Sequence, residues 1–181
     1  MRSVPWWQRL AEQLLAEPLP RRWVHSQGVG RKAESIAHIV GGDADVLISA
    51  AWVHDIGYTP ELVTTGFHPL DGARYLRDTE HADPRVCSLV AYHSCAHIEA
   101  RNRGLGEALA GDFEPVGGLL TDALIYCDMT TSPDGEPVDV EKRLSEVLSR
   151  YGPEDVVTAS IAEATPHIVK AARRIEGLLL N

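Results

Sequence analysis

Apolar residues in this chain recur at intervals of three and four almost throughout, with no sustained alternation, and that pattern restricts it to a helical architecture. Val29, Ala33, Ile36 and Val40 form one such stripe; Ile168, Ala172, Ile175 and Leu179 form another. A period near 3.6 puts each set on one side of a helix, whereas a half-buried strand needs a period of two. Start signals agree. Asp43 precedes the run Val46 to His54, Asp83-Pro84 sets a capping acceptor ahead of a first-turn proline, and Asp139 precedes a run from Val140 to Tyr151. Connections are expected at Gly41-Gly42, Gly57 to Gly66, Gly104 to Gly111, Ser132 to Gly135 and Gly152-Pro153. Pro166 is expected to kink or split the last helical stretch. The expected fold class is all-α.

With 181 residues, 44% hydrophobic and 24% charged, the chain suits a single domain over 1–181. No repeat or Gly/Ser-rich linker divides it. Its chemistry-bearing core is expected over about 20–150, with C-terminal helices over 153–180 packed on that core. The first twenty residues carry Arg9, Glu12 and Glu17, so they lack the uninterrupted apolar centre of a secretory signal. The longest apolar run, Val46 to Val53, includes Ser49 and falls far short of the ~20 residues that cross a bilayer. No membrane is expected. Cys87, Cys95 and Cys127 are odd in number and form no CxxC pair, which fits a reducing cytoplasm. A formal net charge of -9 disfavours a long nucleic acid as partner. Small anions remain compatible, since Arg21, Arg22, Arg31 and Lys32 lie close to His25 in sequence.

Against this apolar background, one ordered set of polar residues stands out: His25, then His54-Asp55, His68, His93 and Asp128. Nearly all fall on the apolar stripe of their own helix. His25 leads into Val29, Ala33 and Ile36; His54 closes Leu47, Ala50 and Ala51; His93 follows Val86, Leu89 and Val90; Asp128 ends Leu120 and Leu124. One inward imidazole is an ordinary core residue that finds a hydrogen bond. Asp128 is harder to bury, because an aspartate is almost never enclosed unless paired and nothing basic lies on its stripe. Buried together without a cation, the set would leave polar groups unpaired at several kcal/mol. A metal removes that objection.

His54 and Asp55 are about 100° apart on a helix. At a helix end both can still reach one ion, leaving an Asp55 oxygen for a second. On that geometry His25, His54, Asp55 and Asp128 hold a first metal, while His68 and His93 hold a second and share Asp55 as the bridge. A nitrogen and oxygen ligand set without thiolate suits one or two divalent transition metals, Fe, Mn, Co or Ni, more than structural zinc. The remaining histidines, His38, His81, His97 and His167, are expected at the surface. Trp6, Trp7, Trp23 and Trp52 are expected to pack the core or the N-terminal helix. Arg173-Arg174 reads as a solvated face, with Ile175, Leu178 and Leu179 forming core or a homodimer contact.

In this order the residues resemble the HD superfamily of metal-dependent phosphohydrolases, whose ligands run His, His-Asp, Asp on an all-α fold. The two intervening histidines are similar to the six-ligand, dinuclear subset, especially bacterial enzymes that split diadenosine tetraphosphate symmetrically. The phrases Arg22-Trp23-Val24-His25-Ser26-Gln27-Gly28-Val29, His68-Pro69-Leu70-Asp71-Gly72-Ala73 and Ala91-Tyr92-His93-Ser94 carry the likeness. Two segments depart from it. Tyr58 stands where many members have a lysine, and Tyr126-Cys127-Asp128-Met129-Thr130-Thr131 continues differently from the tetraphosphatases, so their substrate is not carried over.

The resemblance implies an enzyme, a helical HD-type bundle with its metal site between central helices. It would hydrolyse a phosphoester or phosphoanhydride, in a nucleotide or related small molecule, by metal-activated water. His54 and Asp55 would be central to catalysis, and Arg21, Arg22 and Tyr58 are candidates for substrate contact. A metal- and nucleotide-binding module without turnover is the alternative that Tyr58 and the altered segment keep open. A di-iron oxygenase is the third reading.

Overall fold

The computed structural model describes residues 2–180. Its helices are α1 (Val4–Leu15), α2 (Pro20–Ile36), α3 (Ala44–Val53), α4 (His68–Asp78), α5 (Pro84–Tyr92), α6 (Ala96–Asn102), α7 (Gly106–Asp112), α8 (Gly118–Met129), α9 (Val140–Leu148) and α10 (Val156–Leu179). Tighter 3-10 turns occupy Ala37–Asp43, Ile56–Tyr58, Pro60–Leu62 and His93–Cys95. Among the described residues the only β feature is an antiparallel bridge between Thr131 and Pro137. The all-α expectation holds.

α3 is the axis of the bundle. Every residue from Val46 to Val53 is buried, so this helix is apolar all round and must be enclosed by neighbours. Within that buried run the Ser49 hydroxyl donates to the Asp45 carbonyl at 2.6 Å. α1, α2, α4, α5 and α8 contribute Leu15, Val29, Leu76, Val90 and Leu124 to the same apolar cluster. A second cluster, containing Ile98, Val140, Leu144 and Ile168, joins α6, α9 and α10. α8 belongs to both, with Leu120 and Leu124 on one side and Ile125 and Met129 on the other.

Caps follow the sequence in part. Asp83 accepts from the Arg85 amide at 2.8 Å and Asp139 from the Glu141 amide at 3.0 Å. Asp155 does the same for α10 through Val157 at 2.8 Å. Asp43 makes no capping bond and pairs instead with Arg85 at 2.8 Å. The stretch from Gly104 to Gly111, expected as a connection, contains α7. Leu105, Leu109 and Phe113 at spacings of four give it a short apolar stripe, and burial of Leu109 and Phe113 outweighs the glycine cost. α9 stops at Leu148, three residues before Tyr151.

α10 also departs from expectation, because it runs unbroken through Pro166. Proline cannot donate to the carbonyl four residues back, but Ala162 and Pro166 both lie on the exposed side, where solvent rather than core surrounds that turn. The Trp7 and Trp52 rings are buried, and Trp6 and Trp23 pack half-buried against the first cluster. His38, His81, His97 and His167 are exposed, as expected. A window within Pro20–Tyr58 is apolar enough by composition to span a bilayer, but it is half buried in the protein. The 3-10 segment with Gly41 at φ 57° divides it into α2 and α3.

Candidate metal centre

Five elements deliver six side chains to one place, mostly from helix ends. His25 lies within α2, His54 directly follows α3, His68 opens α4, His93 directly follows α5 and Asp128 sits in the last turn of α8. Helical dihedrals stop at Asp55, with φ -101° and ψ 3°. That bend lets two consecutive residues face the same space, as the helix-end argument requires.

The ligand atoms form two groups, His25/His54/Asp128 and Asp55/His68/His93, each with its atoms within 4.8 Å of one another. His25 Nε2 lies 3.0 Å and His54 Nε2 3.8 Å from Asp128 Oδ1. Asp55 faces both groups. Its Oδ2 lies 3.5 Å from His54 Nε2, while its Oδ1 lies 3.4 Å from His68 Nε2 and 3.8 Å from His93 Nε2. One carboxylate therefore offers one oxygen to each group.

The backbone sets which imidazole nitrogen points inward. His25 Nδ1 is 3.0 Å from the Ser132 carbonyl, His54 Nδ1 2.9 Å from that of Ala51 and His93 Nδ1 2.6 Å from that of Val90. A carbonyl can only accept, so Nδ1 carries the hydrogen in each ring and the Nε2 lone pair is left for the centre. The Nε2 atoms of His68 and His93 approach to 3.2 Å. Lone pairs and carboxylate oxygens thus converge. His54 Nε2 is buried and has no hydrogen-bond partner, which is costly unless something electrophilic meets it.

Electrostatics keep the set ready to ligate. Burial lowers the pKa values of His54 and His68, the latter well below the ordinary range, against the opposing pull of Asp55. Both rings are neutral at pH 7. Burial alone would raise the carboxyls of Asp55 and Asp128, but their neighbours outweigh it. His54 and the Arg22 guanidinium hold Asp55 well below the carboxylate range; His25 and His54 hold Asp128 low. Neutral imidazoles and ionised carboxylates on converging vectors are the donor set of a divalent transition-metal site, and the residues present fit one.

Close packing fixes the geometry from behind. A Cβ on Gly57 would lie 2.0 Å from the His68 carbonyl oxygen and 2.6 Å from the Gly72 nitrogen, so only glycine lets α4 approach the turn after Asp55. Asp71 orders the loop leading into α4. Its carboxylate accepts from the amides of Thr64, Thr65 and Gly66 and from both threonine hydroxyls. The segment after α8 docks on α2 through Gly28, where a Cβ would meet the Gly135 carbonyl at 2.5 Å; the same segment supplies the Ser132 acceptor for His25. Ser94 and Cys95 both take left-handed dihedrals, φ 49° and 63°, a strain of roughly 1–2 kcal/mol per residue. In return the Ser94 hydroxyl donates to Asp128 Oδ2.

A cleft of ≈ 600 Å³, including its open mouth, lies over Asp55, His68, His93 and Asp128. Arg22 lines it, bonded to Asp55 Oδ2 at 2.7 Å. Its guanidinium stacks 3.8 Å over the Tyr58 ring, which in turn stacks on His68 at 3.8 Å and 17°. Arg22 and Tyr58 therefore both line the cleft. Arg21 does not reach this cleft: its side chain is 68% exposed, pairs with Asp134 at 3.3 Å and borders a neighbouring cavity.

Two groups escaped the sequence reading. Ser94 lies beside His93, but nothing in a Ser-Cys dipeptide announces left-handed backbone. Arg143 and Arg150 of the α9 region line the cleft. Arg143 was detectable, because it lies three residues after Val140 within a Val140, Leu144, Val147 stripe, where an apolar residue belongs.

A family model described as HD domain matches residues 22–151. No curated protein and no solved structure matches the chain.

Proposed function

This protein belongs to the HD domain family, and from that premise we propose that it is a metal-dependent phosphohydrolase acting on a phosphoester or phosphoanhydride in a nucleotide or related small molecule. One observation carries the reading. Two ligand groups meet at Asp55, with one carboxylate oxygen turned to each, under an open cleft with a guanidinium beside it. His25, His54, Asp128 and Asp55 would hold one divalent cation, and His68, His93 and Asp55 a second; the N/O set favours Fe, Mn, Co or Ni over structural zinc. Such cations supply Lewis acidity toward a phosphoryl oxygen and lower the pKa of water from about 15.7 toward ~7.

The rest falls to the chain's own residues. Arg22, permanently charged and half-buried, holds the Asp55 carboxylate and presents its remaining donors to the cleft, where a phosphoryl oxygen can accept them. Tyr58 keeps that guanidinium flat and seats the His68 ring. The carbonyls of Ser132, Ala51 and Val90 keep three imidazoles in one tautomer. No serine or cysteine nucleophile is required; Cys127, the cysteine next to Asp128, is fully buried and its thiol is pushed up by burial.

Metal analysis of freshly purified protein, combined with a phosphate-release screen over nucleotides and dinucleoside polyphosphates, tests the reading. Asp55→Ala should lose both bound metal and turnover. Wild-type hydrolysis in the purified Asp55→Ala protein refutes it.

A further inference from the structure

Arg143 is a buried arginine, 4% exposed, whose Nε has no hydrogen-bond partner. Its NH1 bonds Glu146 at 2.5 Å, and the same carboxylate takes two bonds from Arg150, at 2.7 and 2.5 Å. Positions 143, 146, 147 and 150 share one face of the α9 region, and Arg143, Val147 and Arg150 of that face line the cleft. Two guanidiniums thus divide one carboxylate, leaving a surplus positive charge at the cleft wall of a chain with net charge -9. An enclosed, incompletely paired charge is costly, and α9 has no internal need for it. An apolar residue at 143 would complete the Val140, Leu144, Val147 stripe. Arg22, Arg143 and Arg150 also line the adjoining cavity of ≈ 400 Å³ together, so the basic wall is continuous around the mouth.

The opposite character lies beside it. Val147, Tyr151, Val157 and Ile161 line the same cleft, from the end of α9, the connection after it and the start of α10. The field of Arg143 reaches the ligands: after His25 and His54, and against burial, it helps to hold the Asp128 carboxyl low.

We infer that Arg143 and Arg150 form an anion subsite distinct from the two ligand groups, which holds a second, non-reacting anionic group of the substrate while the apolar wall takes its organic part. The preferred substrate is then a bis-anionic small molecule, with one phosphoryl group over Asp55 and another anion on α9. This substrate class rests on the proposed phosphohydrolase function; the anion subsite itself does not. Glu146 occupies the subsite in the absence of ligand, and an arriving anion competes with it for the two forks.

Calorimetric titration of inorganic pyrophosphate into the full chain, as purified and again after chelation of metal, tests the subsite. Wild-type protein should bind the probe in both states. Arg150→Gln, at a surface position, should weaken binding at least about tenfold in both, the loss of one charge-assisted pair. Glu146→Gln should tighten it, because removing the competing carboxylate frees both guanidiniums; a purely structural role for Glu146 would give no gain. Absence of binding to chelated wild-type protein overturns the inference, as does wild-type affinity in both variants. Metal content and phosphate release are measured separately, so failure of the hydrolase reading leaves the chelated titration intact, and a negative titration leaves the metal analysis intact.

Discussion

Gly57→Ala is a one-methyl perturbation whose effect the structure quantifies. The added Cβ would start 2.0 Å from the His68 carbonyl oxygen, while ordinary contact begins at 3.4 Å, so the two segments must part by 3.4 − 2.0 = 1.4 Å. Both contacts are backbone of α4: the Gly72 nitrogen lies at 2.6 Å beside the same carbonyl, and no side-chain rotation relieves the clash. Overpacking of this kind costs about 1–3 kcal/mol, and a chain of this length loses roughly 2–4 °C in Tm per kcal/mol. The expected fall is therefore about 2–12 °C. Because the displaced residue is His68, 3.4 Å from Asp55 Oδ1, the damage should be lopsided. Metal retained by Asp55/His68/His93 should drop, while the group of His25, His54 and Asp128 keeps its ion. Differential scanning fluorimetry and metal stoichiometry of the purified variant read both effects. A Gly57→Ala protein with wild-type Tm and full metal content would refute the argument that this glycine sets the spacing of α4.

Four further outcomes follow from the same geometry. Ser94→Ala removes the hydroxyl that orients Asp128 and should lower metal affinity by about 10–100-fold with the fold intact; unchanged affinity by competitive chelation would count against that role. Adding manganese or iron to metal-depleted protein at ~100 times Kd should stabilise it by ≈ 2.7 kcal/mol, and His54→Ala should abolish the response. Burial lowers His54 and His68, so the unfolded chain takes up protons near pH 6.5 that the folded one refuses. Metal-free stability should be complete above about pH 6.5 and fall as the pH drops below it, with a slope approaching ~2.7 kcal/mol per pH unit for two groups; urea midpoints equal at pH 7.5 and 5.5 would contradict this. Pro166→Ala restores an amide to the Ala162 carbonyl and should raise Tm through a stability gain of up to the ~3 kcal/mol that separates proline from alanine inside a helix, leaving metal content unchanged.

Much of the site was legible because its chemistry sits on the pattern that builds the core. His54, His93 and Asp128 extend apolar stripes at the ends of their helices, so periodicity alone turned them inward. The caps at Asp83 and Asp139 were read from local hydrogen-bonding chemistry, which depends on few neighbours. What periodicity could not show is tertiary. α7 exists because Leu109 and Phe113 find a core to enter, and α10 survives Pro166 because that side faces water. Asp43 gives up its cap for an arginine forty-two residues away. Arg21 and Arg22 are adjacent and alike in sequence, yet a step of one residue around α2 sends one to solvent and the other onto Asp55.

α8 contributes side chains to both apolar clusters, and it carries Asp128. Its position couples regions that share no ligand: opening of α10 away from α8 would loosen the backbone that aims this carboxylate, and an ion gripping the carboxylate would resist that opening. Amide exchange along α10 should therefore slow when a cation binds at a site to which α10 contributes no ligand.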